Sequence, residues 1–410
     1  MKSSSHSNSM LRRLYSLVLQ KMRFQNAVAT QKSAILNRSK RDRSIQNFRK
    51  SFAIESLERR LVMASDFEFD ATNYPNGLDM KLLQENSIII LRDINQGISL
   101  FTQPLADNSG TISIKGSGFS DSLVVDSSAS SLVLRFLGGG GEDSLSGPAQ
   151  TTGTVTNNWQ ITGENTGRLN SNIAFSQVEN LTGAIETIDA FYIRDGGSIG
   201  GVITGNAGET DRITVEVTAS LLPDISDQEE RRSVEFSEDK TEVDGETIIT
   251  FSTLVDERTI AVYKDIAFTD NLVINVPDAS DAQNQILPTQ AALTSEMIGW
   301  MRLASTSLTP TFSPIDFTIP ANKQNQLSVH FGAGNDTLKV GKGVPLRSLN
   351  MSVHGGGGVD ELVAPDLEGQ EDQANLFYIY GTNEGSFDGL NRFAEFENVT
   401  GNADFQDTFV

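Results

Sequence analysis

Four aspartates close short glycine-rich runs. Asp143 follows four consecutive glycines and Glu142, and Asp360 follows four glycines and Val359. Asp336 follows Phe331-Gly-Ala-Gly-Asn335, and Asp121 follows Gly116-Ser-Gly-Phe-Ser120. Two kinds of chemistry suit such runs. Calcium takes six to eight oxygen ligands, and a tight turn with open carbonyls and one carboxylate can supply several of them. The same residues also build a sharp corner with no ion, because glycine enters left-handed backbone regions and aspartate closes an Asx turn.

Composition narrows the field. The chain has 410 residues, no cysteine and three histidines, His6, His330 and His354. Disulfide scaffolds, thiolate metal sites and cysteine nucleophiles are excluded, and a Ser-His-Asp triad or His-rich zinc site has almost no material. No nucleophile elbow, Walker loop or HExxH run is present. The charge is split. Residues 1–64 carry 14 Lys/Arg against 3 Asp/Glu, and residues 65–410 carry 18 against 50, a balance of +11 followed by −32. The acidic body repels a phosphate backbone, so no nucleic-acid partner is expected, and it attracts hard cations. No run approaches the ~18 apolar residues of a membrane span.

The glycine-rich runs resemble the haemolysin-type (RTX) calcium repeat, Gly-Gly-x-Gly-x-Asp-x-Leu-x. Gly138–Ser146 and Gly355–Val363 match in full, Phe331–Val340 has Phe331 at the first glycine position, and Gly116–Val124 has Phe119 at the second. The resemblance implies parallel β-roll turns in which glycine carbonyls and the aspartate bind calcium. On that basis the metal candidates are Asp143, Asp336, Asp360, Asp121, Gly139, Gly141, Gly334, Gly356 and Gly358, with calcium as the cofactor. The departure is spacing. The family's nonapeptides are tandem, whereas these runs lie 22–24 residues apart, so two turns can share an ion only if a whole rung stacks one above the other.

A second resemblance lies in the head. Leu57-Glu58-Arg59-Arg60-Leu61-Val62-Met63-Ala64 is similar to the LEPR-XLL-type N-terminal extension of large bacterial surface and secreted proteins, with Arg59 where the family name has Pro. It implies export and a leader ending near Ala64, where the charge balance also breaks.

Elements must position these turns, and an internal duplication shows which. Phe175-Ser-Gln-Val-Glu-Asn-Leu-Thr-Gly183 recurs as Phe393-Ala-Glu-Phe-Glu-Asn-Val-Thr-Gly401. Ile161-Thr-Gly-Glu-Asn-Thr-Gly167 recurs as Ile379-Tyr-Gly-Thr-Asn-Glu-Gly385, and the two glycine-rich pairs recur in the same order at offsets of 215 to 218. Asp189 and Asp407 are further landmarks, and Asp189 to Asp211 is again 22 residues. Turns followed by short β-rich runs at this period describe rungs of a solenoid, which bury an apolar face only by stacking. The fold expected is all-β, with parallel β-solenoid or β-roll-like repeats behind a disordered basic leader. The alternative is a pair of tandem β-sandwich modules.

The expected organisation is a leader at 1–64, a first module at 65–219, an irregular acidic spacer at 220–324 and a second module at 325–410. Ile88–Leu91 and Ile98–Phe101 read as a hairpin. Asp224–Glu246 reads as a solvated acidic loop. Thr289–Leu303, with Leu293, Met297, Trp300 and Met301, reads as a short helix. Glu-Asn-Leu/Val-Thr-Gly reads as an internal Asn/Thr turn. The second copy reaches Val410, opposite Tyr192 of the first, so a chain ending within a module is expected. The functional expectation is an exported, calcium-binding repeat protein, structural or adhesive, not an enzyme, at the cell surface or outside the cell, with calcium and surface or extracellular polymers as partners. The alternatives are a β-helical carbohydrate-active enzyme and a structural repeat protein without calcium.

Overall fold

The structure is a computed structural model. It describes residues 65–410 apart from 150–155, 186, 207–210, 222–230, 244–245, 265–268, 281–282, 298, 308–310, 319–325, 342, 347–348, 365–374, 389–390 and 402–406. The basic head, with the expected cleavage near Ala64, lies outside the described residues.

Hydrophobic alternation sets the rungs. Ser122–Val125 alternates half-buried and buried positions, with Leu123 and Val125 inward, and Ile112 and Ile114 do the same in Asn108–Lys115. Each buried Ile, Leu or Phe removes apolar surface worth roughly 1.5–3 kcal/mol from water, but one rung has no second layer of its own to bury it against. The chain solves this by alternating between two sheets. Asn108–Lys115 lies in a 15-stranded sheet, Ser122–Val125 in a 16-stranded sheet, Val133–Leu137 in the first again and Ser144–Ser146 in the second. Successive rungs pair in parallel, Ile112 opposite Leu134 and Leu123 opposite Leu145. The pattern returns in the second copy, where Gln326–His330 pairs in parallel with Asn350–His354 and Thr337–Val340 with Glu361–Val363. The fold is therefore an all-β solenoid of the roll type. Antiparallel sandwich modules are ruled out, since both copies share the same two sheets and one buried core.

Antiparallel meanders interrupt the rungs. Thr156–Gly163, Thr166–Leu169 and Ile173–Ser176 form one, and Asn375–Gly381, Glu384–Phe387 and Asn391–Ala394 form its duplicate. The expected hairpin is present as Ile88–Asp93 paired with Ser99–Pro104.

Four expectations are corrected. The described residues of 220–324 are not an irregular spacer, because strands from Arg232–Val243 to Ile315–Thr318 continue the same sheets. Of the acidic run, residues 224–230 and 244–245 lie outside the described residues, and the rest is a hairpin rather than a loop, with Arg232–Val243 paired antiparallel with Glu246–Val255. The segment expected to be helical is the antiparallel pair Gln290–Met297 and Trp300–Ser305, turning at Gly299 with φ +85°. Ala291, Leu293, Met301 and Leu303 are all buried. Their period-two alternation prevails over a 3.6-residue spacing that the same apolar residues also satisfy. Asn180–Thr182 is likewise a strand, pairing in parallel with Ser144–Ser146, and not a turn.

Candidate functional site

The four candidate aspartates lie where the chain passes from one sheet to the other. All are buried, with Asp143 and Asp360 at 0% exposure. They are brought together in two pairs on adjacent rungs. The Asp121 N–H donates to Asp143 Oδ1 at 2.7 Å, and the Asp336 N–H donates to Asp360 Oδ1 at 2.7 Å. Each carboxylate thus holds the backbone of the equivalent residue one rung earlier. The clamp extends upstream, from Leu78 N–H to Asp121 Oδ1 at 2.6 Å and from Thr289 N–H to Asp336 Oδ1 at 2.8 Å. It recurs where Asp189 N–H donates to Asp211 Oδ1 at 2.7 Å.

The glycines fit the same device. Gly139, Gly141, Gly356 and Gly358 have φ of +113°, +110°, +90° and +146°, a region closed to most side chains. Gly334 is not in that region, but a Cβ there would come 2.8 Å from Asp336 Oδ1. Gly138 shows the principle most plainly: a Cβ on it would lie 2.5 Å from Asp143 Oδ2, so the missing side chain is the space the carboxylate fills. The turns stack directly. Gly140 N–H donates to the Ser117 carbonyl at 3.1 Å, and Gly357 N–H donates to the Gly332 carbonyl at 2.8 Å. Whole rungs therefore place one glycine-rich turn upon the next.

Other duplicated residues acquire a role that spacing did not disclose. Glu179 Oε2 accepts from Asp143 N–H at 2.8 Å, and Glu397 Oε2 accepts from Asp360 N–H at 2.7 Å. Their second oxygens accept from Asn165 Nδ2 at 2.9 Å and Asn383 Nδ2 at 2.6 Å. The Glu-Asn-x-Thr-Gly and Gly-x-Asn-x-Gly landmarks are thus two halves of one contact. Asp189 Oδ1 accepts from Trp159 Nε1 at 2.8 Å, and Trp159 stacks on Phe191 with centroids 5.3 Å apart. In the second copy Asn375 Nδ2 donates to Asp407 Oδ1 at 2.7 Å, and Phe377 stacks on Phe409 at 5.0 Å. The constant offset of the landmarks was the signal that could have joined these pairs.

Burial disfavours charge on the clamps. Desolvation pushes the Asp143, Asp189 and Asp336 carboxyls up to about 6 and raises Asp360. Asp143 Oδ2 and Asp360 Oδ2 are buried without a hydrogen-bond partner. A group in that position costs free energy unless a proton or a cation joins it. Among the described residues, no three His, Asp or Glu side chains gather as a metal cluster. A cation at these turns would therefore draw on a carboxylate oxygen and main-chain carbonyls. His330 and His354 face each other in register on neighbouring strands, their rings stacked at 4.4 Å and 2°. The first copy has Lys115 and Leu137 at that register, so the pair is no part of the module. No helix among the described residues is long and apolar enough to cross a membrane. No family model matches the chain, and no curated protein or solved structure does either.

Proposed function

We propose that the chain is an exported structural repeat protein, a scaffold with an adhesive role at the cell surface or outside the cell. One observation carries this reading. The same buried aspartate clamps the backbone of the preceding rung at corresponding positions in both copies. A residue repeated at successive corners of both copies, and spent on main-chain hydrogen bonds, serves stacking rather than a single reactive centre. Export rests on the Leu57–Ala64 resemblance and on the charge break beside it. Protease shaving of intact source cells, with mass spectrometry of the released peptides and of the medium, tests it. Peptides from 65–410 are expected in those fractions; their confinement to the cell interior would contradict export.

Calcium is the second reading, favoured by the stacked turns and the buried, unpartnered Oδ2 atoms of Asp143 and Asp360. These atoms, with carbonyls of the adjoining glycine-rich turns, would hold the ion, whose charge offsets that of the buried carboxylate. Thermal melts of the full chain at pH 8 are expected to rise by several degrees in millimolar calcium relative to chelator. Superimposable melts would remove calcium and leave the ion-free scaffold.

A further inference from the structure

A cleft of about 250 Å³ opens beside the turn that follows Ile188–Ile193, against the strands Arg232–Val243, Glu246–Val255 and Arg258–Lys264. These three strands lie between the two copies, so the repeat does not require them. The cleft is walled by three guanidinium groups and three carboxylates, interleaved. Arg232 bonds Asp195 through Nη1 at 2.8 Å and Asp256 through Nε at 3.1 Å. Arg194 Nη1 bonds Glu216 at 2.7 Å, and its guanidinium stacks 4.3 Å over the Tyr192 ring. Arg258 pairs outward with Glu164 at 3.5 Å. Val255 and Ile260 add apolar surface.

Three features define what such a cleft takes. Its charges balance, so neither a polyanion nor a cation gains a net field there. Apart from Arg258, which pairs with Glu164 beyond the lining, its charged groups are held in place by one another. Arg232 and Glu216 are only 17% and 16% exposed, so little ordering entropy remains to be lost on binding. A guanidinium has five donors and a carboxylate about four acceptor positions; Asn275 on Glu216, Thr218 on Arg232 and Asp195, and Ser233 on Asp256 take up some of them, and the remainder face the cleft's other contacts. Neighbouring hydroxyls on one ring, each both donor and acceptor, match such an alternating array. The volume lies below the ~300–1,000 Å³ of sites that enclose drug-sized ligands, which limits the occupant to one ring, with the rest of a chain running out over the mouth. We propose that this cleft binds a single sugar ring of a neutral polysaccharide. The proposal rests on the adhesive reading above and gives it a ligand class.

Affinity electrophoresis of the full chain tests it, through gels containing soluble β-glucan, galactomannan or xylan, with alginate as the charged comparator. At least one neutral polysaccharide is expected to retard the protein. Arg258→Ala and Arg194→Gln are each expected to weaken that binding tenfold or more with the melting temperature kept. Absence of retardation by every neutral polymer, or retardation by alginate alone, would overturn the proposal. Retardation unchanged in both variants would also overturn it, while leaving the adhesive reading intact. Binding of the wild-type chain to source-cell envelopes, scored in parallel, tests the adhesive reading separately.

Discussion

A carboxylate buried against the backbone of a neighbouring rung is a hydrogen-bond acceptor first and a charge second. Asp143 receives the Asp121 N–H whether or not it is ionised, but burial raises its pKa to about 6. Asp189 and Asp336 are raised alike. The consequence for stability has a definite sign. A carboxyl whose pKa is higher in the folded state than the usual 3.8 binds more protons folded than unfolded. Its contribution is fully present below about pH 4 and is lost as pH rises through about 6. His330 opposes this, since burial and the adjacent His354 lower its pKa and favour the folded state as pH rises. Several aspartates act against one histidine. Denaturant unfolding in chelator is therefore expected to show stability falling from pH 4.5 to 6.5, and a steady rise over that interval would contradict the buried, raised carboxyls. The Asp-and-glycine signature was legible in the sequence because both residue types are needed at the corner. Glu179 and Glu397 were not, since a glutamate within an Asn/Thr-rich run has no signature of its own until the fold places it against Asp143 and Asp360.

At the scale of the element, the glycine-rich turn works by close approach. A methyl group on Gly138 would overlap both the Gln177 carbonyl and Asp143 Oδ2. Interiors this dense have no slack for an added carbon. Gly138→Ala is expected to cost about 1–3 kcal/mol, read as a lowered denaturant midpoint, whereas Gly118→Ala, where a Cβ would meet nothing within 4 Å, is expected to cost well under 1 kcal/mol. Equal costs would contradict the packing described for the corner. Rungs were readable from the 22–24-residue period. The pair Gln290–Met297 and Trp300–Ser305 was not, because Leu293, Met297, Trp300 and Met301 satisfy a helical spacing as well as an alternating one, and only parallel pairing with Thr337–Val340 selects the strand. Sequence pattern states which residues are apolar; the neighbouring rung decides which period they obey.

At the scale of the whole molecule, two facts noted separately in the sequence, an acidic body and a duplicated set of landmarks, become one. Part of the acidity is internal to the stack: Asp121, Asp143, Asp189, Asp211, Asp336 and Asp360 are all buried at 2% exposure or less. Another part lies on the hairpin of Arg232–Val243 paired with Glu246–Val255, with Glu235, Glu238, Asp239 and Glu242 exposed. Clamps in register in both copies tie the corners of one shared pair of sheets, so removing one affects the rungs on both sides. The most direct test is the stability of Asp143→Ala and Asp143→Asn at neutral pH, measured by denaturant unfolding in chelator. Asparagine keeps an oxygen for the Asp121 N–H and removes the buried charge, so it is expected to match or exceed the wild type. Alanine leaves that N–H buried and unpaired and is expected to cost about 1–3 kcal/mol. If alanine is tolerated as well as asparagine, the aspartates are not clamps and the scaffold reading loses its foundation.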